Sequence, residues 1–387
     1  MASTTLPDLN DQLRQLIACP SVSAVDPALD MGNLPVLEIL STWLETLGFK
    51  VELMPIPDNP NKANMIATLG RSTDVNGGLI LSGHTDTVPY DEGRWQSDPF
   101  KLQERENRLY GLGTSDMKGF FPLAIEAAKS FADKPLRRPL TILATADEES
   151  SMAGARALAM AGRPLGRFAV IGEPTGLRPI RMHKGIMMEA VRITGQSGHS
   201  SNPTLGASAL EAMHTVIGEL LSLRGEWQQK YNNPGFEIPV PTMNLGCIHG
   251  GDNPNRICGS TELQLDIRPL PGMHPVDLRA ELNNRLQNCI EDKKIHIDLA
   301  PLCPSTEPFE QDINSELLKV AEKLTGHSPE SVAFCTEAPY LKSMNIDTIV
   351  LGPGDIDQAH QPDEYLGLDR INPMVEILRS LIARFCV

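Results

Sequence analysis

The sequence lacks the features that would place the chain in a membrane or in an oxidising compartment. No stretch approaches the run of about 18 apolar residues that a membrane-spanning helix needs. The N-terminus has no basic segment followed by an apolar one, so no signal peptide is expected. The seven cysteines include no C-x-x-C pair, which favours reduced thiols over a disulfide framework or a cysteine-bound zinc. We therefore expect a cytoplasmic protein without membrane contact.

The motifs of several enzyme and binding classes are also missing. The chain has no phosphate-binding G-x-x-x-x-G-K-[ST] loop, no G-x-S-x-G serine elbow and no H-E-x-x-H zinc motif. The segment GLGTSDMKG has only the first two glycines of a dinucleotide fingerprint and follows no predicted strand. Acidic residues outnumber basic ones by 49 to 34, and no basic cluster is present, so nucleic acid is not expected as a partner.

The first and last parts of the chain predict an α/β fold. Its 387 residues are enough for two domains. Short runs that are apolar throughout alternate with helical patterns; the runs are NMIATL, GLILSG, LTILATA, FAVIG and DTIVLGPG. Such runs are typical of strands that are covered on both faces. The alternation predicts a mostly parallel sheet with helices on both faces.

The middle of the chain has a different pattern. From about residue 183, the order strand, helix, strand, strand, helix, strand predicts a ferredoxin-like α+β domain inserted into the first. We therefore predict a first domain made of residues 1–182 and 303–387, with an inserted domain over 183–302.

Ionisable residues follow three of the predicted strands. His84 and Asp86 end one run, the acidic triplet Asp147–Glu149 ends a second, and Glu173 ends a third. The carboxyl ends of parallel strands lie at one edge of a sheet, where ligands bind in this class of fold. At period two in a strand, Asp86 lies on the side of His84 and can receive its second ring N–H.

Two further residues lie in loops that can reach the same edge. Asp116 stands in a glycine-flanked loop before a helix, and His360 follows the last strand. Taken alone, each has an ordinary alternative, since Asp116 fits a helix cap and a loop histidine is usually a surface residue. Together, imidazole and carboxylate groups form the ligand set of Zn²⁺. The predicted metal ligands are His84, Asp116, Glu149, Glu173 and His360.

Six ordered segments carry a resemblance to a known family. The segments GHTDTVP, YGLGTSDMKG, ATADEESSMAGA, IGEPT, GQSGHSS and AHQPDEY resemble the motifs of the di-zinc aminoacylase/carboxypeptidase metallopeptidases. The resemblance implies two Zn²⁺ ions, for which Co²⁺ can substitute. It implies that His84, Asp116 and Glu173 hold one ion. It also implies that Asp116 bridges to the second, which Glu149 and His360 complete.

The same resemblance implies catalytic roles. Glu148 would be the general base and acid, and Asp86 would orient His84. His199 would reach the active site of a partner subunit and stabilise the oxyanion, which makes the inserted domain a lid and a dimerisation domain of a homodimer. The alternative for His199 is a loop histidine that caps the following helix. Asp147 receives no role.

The substrate is indicated by shorter motifs. GRWQSDPF, IHGGDNPNRIC, DIRPLPGM and CTEAP resemble the branch of the family that deacetylates N-acetyl-L-ornithine in arginine biosynthesis. Arg256 and Arg268 are candidates for the substrate α-carboxylate, with Asn253 and Asn255 assisting. Glu337 is a candidate for the side-chain ammonium. Salt bridges within the inserted domain and a structural role for Glu337 are the alternatives.

Three other functions stay open. Two belong to the same class: desuccinylation of N-succinyl-diaminopimelate, and a broader N-acyl-amino-acid hydrolase or dipeptidase activity. The third is a metal-binding module without catalysis, against which the adjacent Glu148 and Glu149 argue.

Overall fold

The chain folds into two units, each with its own sheet and hydrophobic core. A computed structural model describes residues 6–57, 59–70, 77–163 and 165–387. Unit 1 consists of Met1–Arg181, Gln311–Glu330 and Thr336–Val387, and unit 2 consists of Met182–Glu310 and Ser331–Cys335.

The elements before unit 2 are two helices, then five strands, and then helices and strands in alternation up to two final strands. The helices are α1 (Leu9–Ile17), α2 (Leu34–Thr46), α3 (Phe120–Lys129) and α4 (Ala153–Ala161). The strands are β1 (Lys50–Ile56), β2 (Asn59–Leu69), β3 (Leu79–His84), β4 (Gln103–Arg105), β5 (Arg108–Tyr110), β6 (Leu140–Thr145), β7 (Phe168–Ile171) and β8 (Ile180–His183).

Unit 2 is an antiparallel sheet with two helices. Its elements are β9 (Met187–Thr194), α5 (Ala209–Lys230), β10 (Thr242–Gly250), β11 (Ser260–Arg268), α6 (Pro275–Asn288), β12 (His296–Pro301) and β13 (Phe309–Glu310). The four long strands lie in the order β10-β11-β9-β12, and every pair is antiparallel. This arrangement confirms the predicted α+β insertion and its β-α-β-β-α-β order. Apolar residues of α5 and α6 pack with the sheet into one core.

The rest of the chain belongs to unit 1, apart from the short stretch Ser331–Cys335. The remaining elements are α7 (Glu316–Thr325), β14 (Glu330–Val332), α8 (Ala338–Ser343), β15 (Asp347–Val350), β16 (Tyr365–Gly367) and α9 (Leu368–Phe385). The short strands β4, β5 and β16 form a separate three-stranded sheet in the order β16-β5-β4.

The large sheet of unit 1 is parallel at its centre. Its strands lie in the order β1-β2-β6-β3-β7-β15-β8. The four central strands, β6, β3, β7 and β15, are mutually parallel, which confirms the prediction. The edges differ, because β2 runs antiparallel to β6 and β1 runs antiparallel to β2. The fold is therefore α/β with an antiparallel margin.

Helices α3 and α9 cover one part of this sheet with a continuous apolar layer. Phe120 and Phe121 at the start of α3 are fully buried, and α9 buries residues three or four apart along most of its length. Each such side chain contributes about 1.5–3 kcal/mol to the free energy of folding through burial. This layer packs against β3, the strand that ends at His84.

Among the described residues, no helix combines the length and the apolar character needed to cross a membrane.

Candidate metal centre

Three neighbouring strands of unit 1 end at the same edge of the sheet. His84 is the last residue of β3, and it pairs with Thr145, the last residue of β6. Strand β7 lies parallel to β3 on its other side and ends at Ile171. Because the strands are parallel, the segments that carry Asp147–Glu149 and Glu173 leave from the edge at which His84 lies.

Asp116 lies between two imidazole rings. Its Oδ1 is 3.1 Å from Nε2 of His84, and its Oδ2 is 3.6 Å from Nε2 of His360. The second imidazole also approaches Glu149, with 3.0 Å between Nε2 of His360 and Oε2 of Glu149. The peptide bond that follows Asp116 is cis. One carboxylate therefore presents a different oxygen to each histidine, as a carboxylate that bridges two ions must.

Two more carboxylates complete the cluster around His84. Oε2 of Glu173 lies 3.7 Å from Nε2 of His84. Donor atoms of His84, Glu148 and Glu173 all lie within 4.8 Å of one another, and the same holds for His84, Asp116 and Glu149. The structure therefore brings together all five predicted ligands. It also brings a carboxylate oxygen of Glu148, the predicted base, within 4.8 Å of a ring nitrogen of His84.

Asp86 contacts His84 through its backbone more closely than through its side chain. Nδ1 of His84 lies 3.0 Å from the carbonyl oxygen of Asp86 and 3.7 Å from its Oδ1. The carbonyl can only accept, so Nδ1 carries a proton and Nε2 is the ring nitrogen left to bind an ion once its own proton is displaced. The Oδ2 atom of Asp86 accepts the backbone N–H of Glu149 at 3.1 Å. Asp86 therefore holds both the imidazole and the acidic turn.

The charges in the cluster shift one another's pKa values. Burial lowers the pKa of His84, but the acidic neighbours Glu173, Asp116 and Asp86 together outweigh it and raise this pKa well above its usual value. The hydrogen bond to Glu149 raises the pKa of His360 to about 9. Burial, followed by the charge of Asp116, raises the pKa of Glu149 to about 7. Burial and the charge of Glu173 raise the pKa of Glu148 well above its usual value.

This donor set fits divalent metal ions. Four carboxylates face two imidazoles, so the cluster carries more negative charge than its own side chains can neutralise. Oε1 of Glu149 is buried and has no hydrogen-bond partner among the described residues. Imidazole nitrogen and carboxylate oxygen are the ligands of zinc and related ions. Positive ions in the cluster would relieve both the repulsion and the unpaired oxygen.

Glu337 lies beneath the cluster rather than at its surface. Its side chain is 1% exposed, and Oε2 accepts a hydrogen bond from Oγ1 of Thr145 at 2.8 Å. Burial raises its pKa to about 8. Its second oxygen, Oε1, is buried without a hydrogen-bond partner in the part of the chain that the structure describes.

The remaining predicted site residues, catalytic and substrate-binding, belong to unit 2. His199 accepts hydrogen bonds at Nδ1 from the backbone N–H and the hydroxyl of Ser201. The backbone carbonyl of Asn255 accepts the N–H of Ser200. His199 also forms an isolated antiparallel bridge with Arg256, which helps line a cavity of about 770 Å³.

Both predicted arginines have acidic partners within unit 2. Arg256 pairs with Asp252 at 2.5 Å, and Arg268 pairs with Asp266 at 2.8 Å. These pairs are salt bridges within the inserted domain, which is the stated alternative to binding of the substrate carboxylate.

Two residues near the cluster were not predicted from the sequence. Lys62 forms a buried ion pair with Asp147, and the Glu364 carboxylate accepts backbone N–H groups of the loop that carries Asp116. The available signals were a lysine at the head of the buried run NKANMIATL and a second acidic residue after His360 in HQPDEY. Neither signal indicates which part of the chain the residue contacts.

Known proteins match the chain over nearly its whole length. Residues 80–384 match the model of peptidase family M20/M25/M40. An acetylornithine deacetylase from Edwardsiella ictaluri is 51% identical over 99% of both chains. One from Photorhabdus laumondii is 48% identical over 99% of this chain and 98% of its own. The M20 family metallo-carboxypeptidase Sso-CP2 from Sulfolobus solfataricus has the same fold, with a TM-score of 0.73 at 18% identity, over 97% of this chain and 98% of its own.

Proposed function

We propose a function from one premise, which is that the chain belongs to the M20/M25/M40 peptidase family. The chain is a metal-dependent amide hydrolase that removes the acetyl group from N-acetyl-L-ornithine, giving L-ornithine and acetate. The choice of this substrate rests on the end-to-end match, at 48–51% identity, to proteins named acetylornithine deacetylase. We place the reaction in the biosynthesis of arginine.

Two metal ions are proposed at the carboxylate cluster, with zinc as the physiological metal and cobalt as a substitute. His84, Asp116 and Glu173 hold one ion. Glu149 and His360 hold the other, and Asp116 is shared. The approach of Asp116 to both imidazoles, at 3.1 and 3.6 Å, supports the sharing. When bound, such ions supply Lewis acidity to the amide and make water a stronger nucleophile at neutral pH.

Glu148 is proposed to move the proton in this reaction. Its carboxylate takes a proton from the attacking water and passes it to the nitrogen of the leaving amine. The raised pKa of Glu148 supports this role, because a carboxylate whose pKa lies nearer neutrality is a stronger base toward the attacking water. The carboxylate of Asp86 is proposed to keep Glu149 and the adjacent Glu148 in place through the Glu149 N–H, while its carbonyl orients His84.

Substrate binding is proposed to involve unit 2. His199, supplied by the partner subunit of a homodimer, stabilises the oxyanion, and unit 2 serves as lid and dimerisation domain. Arg256 and Arg268, with Asn255, bind the substrate carboxylate, which requires each arginine to share or exchange its present acidic partner. Glu337 is proposed to recognise the ammonium end of ornithine. The buried oxygen of Glu337 that has no hydrogen-bond partner among the described residues supports this role.

We also propose a cytoplasmic location. All seven cysteines of the chain are described and none of them forms a disulfide, which supports a reducing environment.

The test of the function is a deacylation assay of the metal-loaded protein on three substrates. N-acetyl-L-ornithine should be hydrolysed with the highest kcat/KM, ahead of N-succinyl-diaminopimelate and N-acetylmethionine, and Glu148→Ala should abolish turnover. A preference for the succinylated substrate would reassign the enzyme to desuccinylation. Comparable rates on all three would indicate a broad acylase. Metal binding without hydrolysis of any of them would indicate a non-catalytic module.

A further inference from the structure

One buried carboxylate binds the backbone of the loop that carries Asp116. The Glu364 side chain is 1% exposed. Its Oε2 accepts the N–H of Gly113 at 2.9 Å. Its Oε1 accepts the N–H of Ser115 at 2.7 Å and that of Asp116 at 3.0 Å. Three convergent N–H groups form an anion-binding concavity, and here the chain's own carboxylate fills it.

The strand pairing explains why Glu364 reaches this loop. Strand β16 pairs with β5, so that Tyr365 lies opposite Tyr110. Glu364 therefore stands beside the start of the loop, where its carbonyl accepts the N–H of Gly111 at 3.0 Å. Gly113 has a φ of +85°, which favours glycine and turns the loop over the carboxylate.

The position of Glu364 links two of the proposed ligands. It follows His360 by four residues and hydrogen-bonds the backbone of Asp116, which lies 248 residues away from it in the chain. The His360 side chain is 56% exposed, so packing alone constrains it weakly. Hydrogen bonds from N–H groups to a carboxylate are charge-assisted and stronger than neutral ones.

We propose that Glu364 is a positioning residue that holds Asp116 against His360 before metal binds. It never touches the metal or the substrate. Its carboxylate fixes the position of the Asp116 backbone relative to the loop that contains His360. Loss of this anchor would weaken binding of the ion that these two residues share with Glu149. The inference rests on the proposed metal site.

The first experiment compares Glu364→Gln with the wild type by calorimetric zinc titration and by the visible absorption of bound Co²⁺. Glutamine keeps the shape of the glutamate side chain, but its NH₂ group replaces one accepting oxygen and faces backbone N–H donors. The affinity for the weaker-bound ion should fall about 10- to 100-fold, as it does when outer partners of ligands are lost. The Co²⁺ spectrum should change, and Glu364→Asp should give an intermediate affinity.

The matched control is Glu189→Gln, the same change at a fully buried carboxylate in unit 2 that pairs with Arg279. This control should lower the unfolding temperature without changing either zinc affinity. If Glu364→Gln and Glu364→Asp also leave both affinities within twofold of wild type, Glu364 is only structural. Should the wild type itself bind no metal, the proposed function fails at that step, and the next measurement still decides the inference.

The second experiment needs no variant. Hydrogen exchange of residues 111–118 is measured in the metal-free and the zinc-treated wild type. If Glu364 organises the loop in advance, these amides are protected to the same extent in both. Free exchange in the metal-free protein would mean that Glu364 does not order the loop, which overturns the inference even if no variant folds.

Discussion

Lys62 and Asp147 form a buried ion pair at the end of the sheet where the acidic triplet lies. Nζ of Lys62 is 2.5 Å from Oδ1 of Asp147, and the lysine side chain is only 4% exposed. The same ammonium lies 2.6 Å from Oδ1 of Asp30. The hydroxyl of Ser23 donates a further hydrogen bond to Asp147 at 2.8 Å. One of the three consecutive carboxylates therefore has a partner within the chain itself.

This ion pair separates the structural acid of the triplet from the two proposed for chemistry. Asp147 adopts a left-handed backbone conformation, with φ of 59°, and its carbonyl accepts the N–H groups of Ser151 and Met152. Its side chain thus points away toward Lys62 while Glu148 and Glu149 join the cluster. The pair is an anchor for the turn on which they stand.

The first prediction concerns this anchor. Lys62→Met should lower the free energy of unfolding by about 3–5 kcal/mol, because it leaves the buried Asp147 and the partly buried Asp30 without their cation. Asp147→Asn should lower it by only about 1 kcal/mol, since Lys62 keeps Asp30 and the amide oxygen can still accept. Urea unfolding of the metal-free protein measures both.

An exposed pair provides the control for this comparison. Arg163→Met, which breaks the surface ion pair with Glu52, should cost less than about 1 kcal/mol. Equal costs for Lys62→Met and Asp147→Asn would show that Asp30 does not share the lysine.

The sequence could predict which segments form helices and strands, but it could not predict the direction in which neighbouring strands pair. The runs NMIATL and LTILATA look alike in sequence, yet β2 and β6 are antiparallel neighbours while β6 and β3 are parallel. Strand direction depends on the connections between strands, which apolar content does not encode. Helix α9 begins at Leu368 and contains Pro373, although the Asn-Pro pair at 372–373 would favour a helix start at that point. The apolar face of α9 packed in the core outweighs the backbone hydrogen bond that the proline cannot make.

The convergence of ligands could be predicted because strand order alone delivers them to one edge. The anchors could not, because their partners are set by tertiary contacts. Lys62 and Asp147 are 85 residues apart, and Glu364 and Asp116 are 248 apart. The nearer partner of His84 was also unpredictable, since the sequence suggests the side chain of Asp86 and the structure offers its carbonyl at shorter range.

The second prediction concerns metal removal. Zinc at about 100 times its dissociation constant should stabilise the folded protein by about 2.7 kcal/mol. Zinc affinity should weaken as the pH falls from about 8 to about 6, because the metal must displace protons from groups such as Glu149 and His360, whose pKa values are about 7 and about 9. Calorimetry in two buffers of different ionisation enthalpy would count the released protons. Affinity independent of pH would contradict the ligand assignment.

The third prediction concerns acid stability of unit 2. His183 is fully buried, its Nδ1 donates to the carbonyl of Lys184 at 2.8 Å, and its ring stacks on Phe309. Burial lowers its pKa to about 4. In the unfolded chain the pKa is near its ordinary value of about 6.5, so only the unfolded state gains the proton as the pH falls between these values. Protonation of His183 in the unfolded state should therefore lower the free energy of unfolding by about 3 kcal/mol when the pH falls from about 7 to about 4.

The measurement is the pH dependence of the free energy of unfolding in the wild type and in His183→Gln. The variant has no imidazole to charge, so its stability should fall less on acidification, even if it is lower at neutral pH. His214→Gln, at an exposed histidine of α5, should follow the wild type. Parallel pH curves for wild type and His183→Gln would exclude this imidazole as the cause.

The fourth prediction separates a base from a ligand in the cluster. Glu148→Gln should lower kcat by about 10²- to 10⁴-fold, the usual contribution of general acid–base catalysis, while leaving the zinc content unchanged. Glu149→Gln should instead reduce the zinc content, because it removes a proposed ligand. Activity and zinc stoichiometry are measured on the same preparations. Loss of zinc from Glu148→Gln would make Glu148 a ligand, as its place within 4.8 Å of His84 and Glu173 also permits.

The fifth prediction tests whether His199 acts on the partner subunit. His199→Ala should reduce kcat without changing zinc content, and Glu148→Ala should be inactive. If His199 acts in trans, a heterodimer of the two variants contains one site with an intact Glu148 and an intact His199. Refolding the variants together at equal concentration should then restore about a quarter of the wild-type activity, since half of the random dimers are mixed and each has one complete site. Activity no greater than the average of the two separate variants would mean that His199 acts within its own subunit or has no catalytic role.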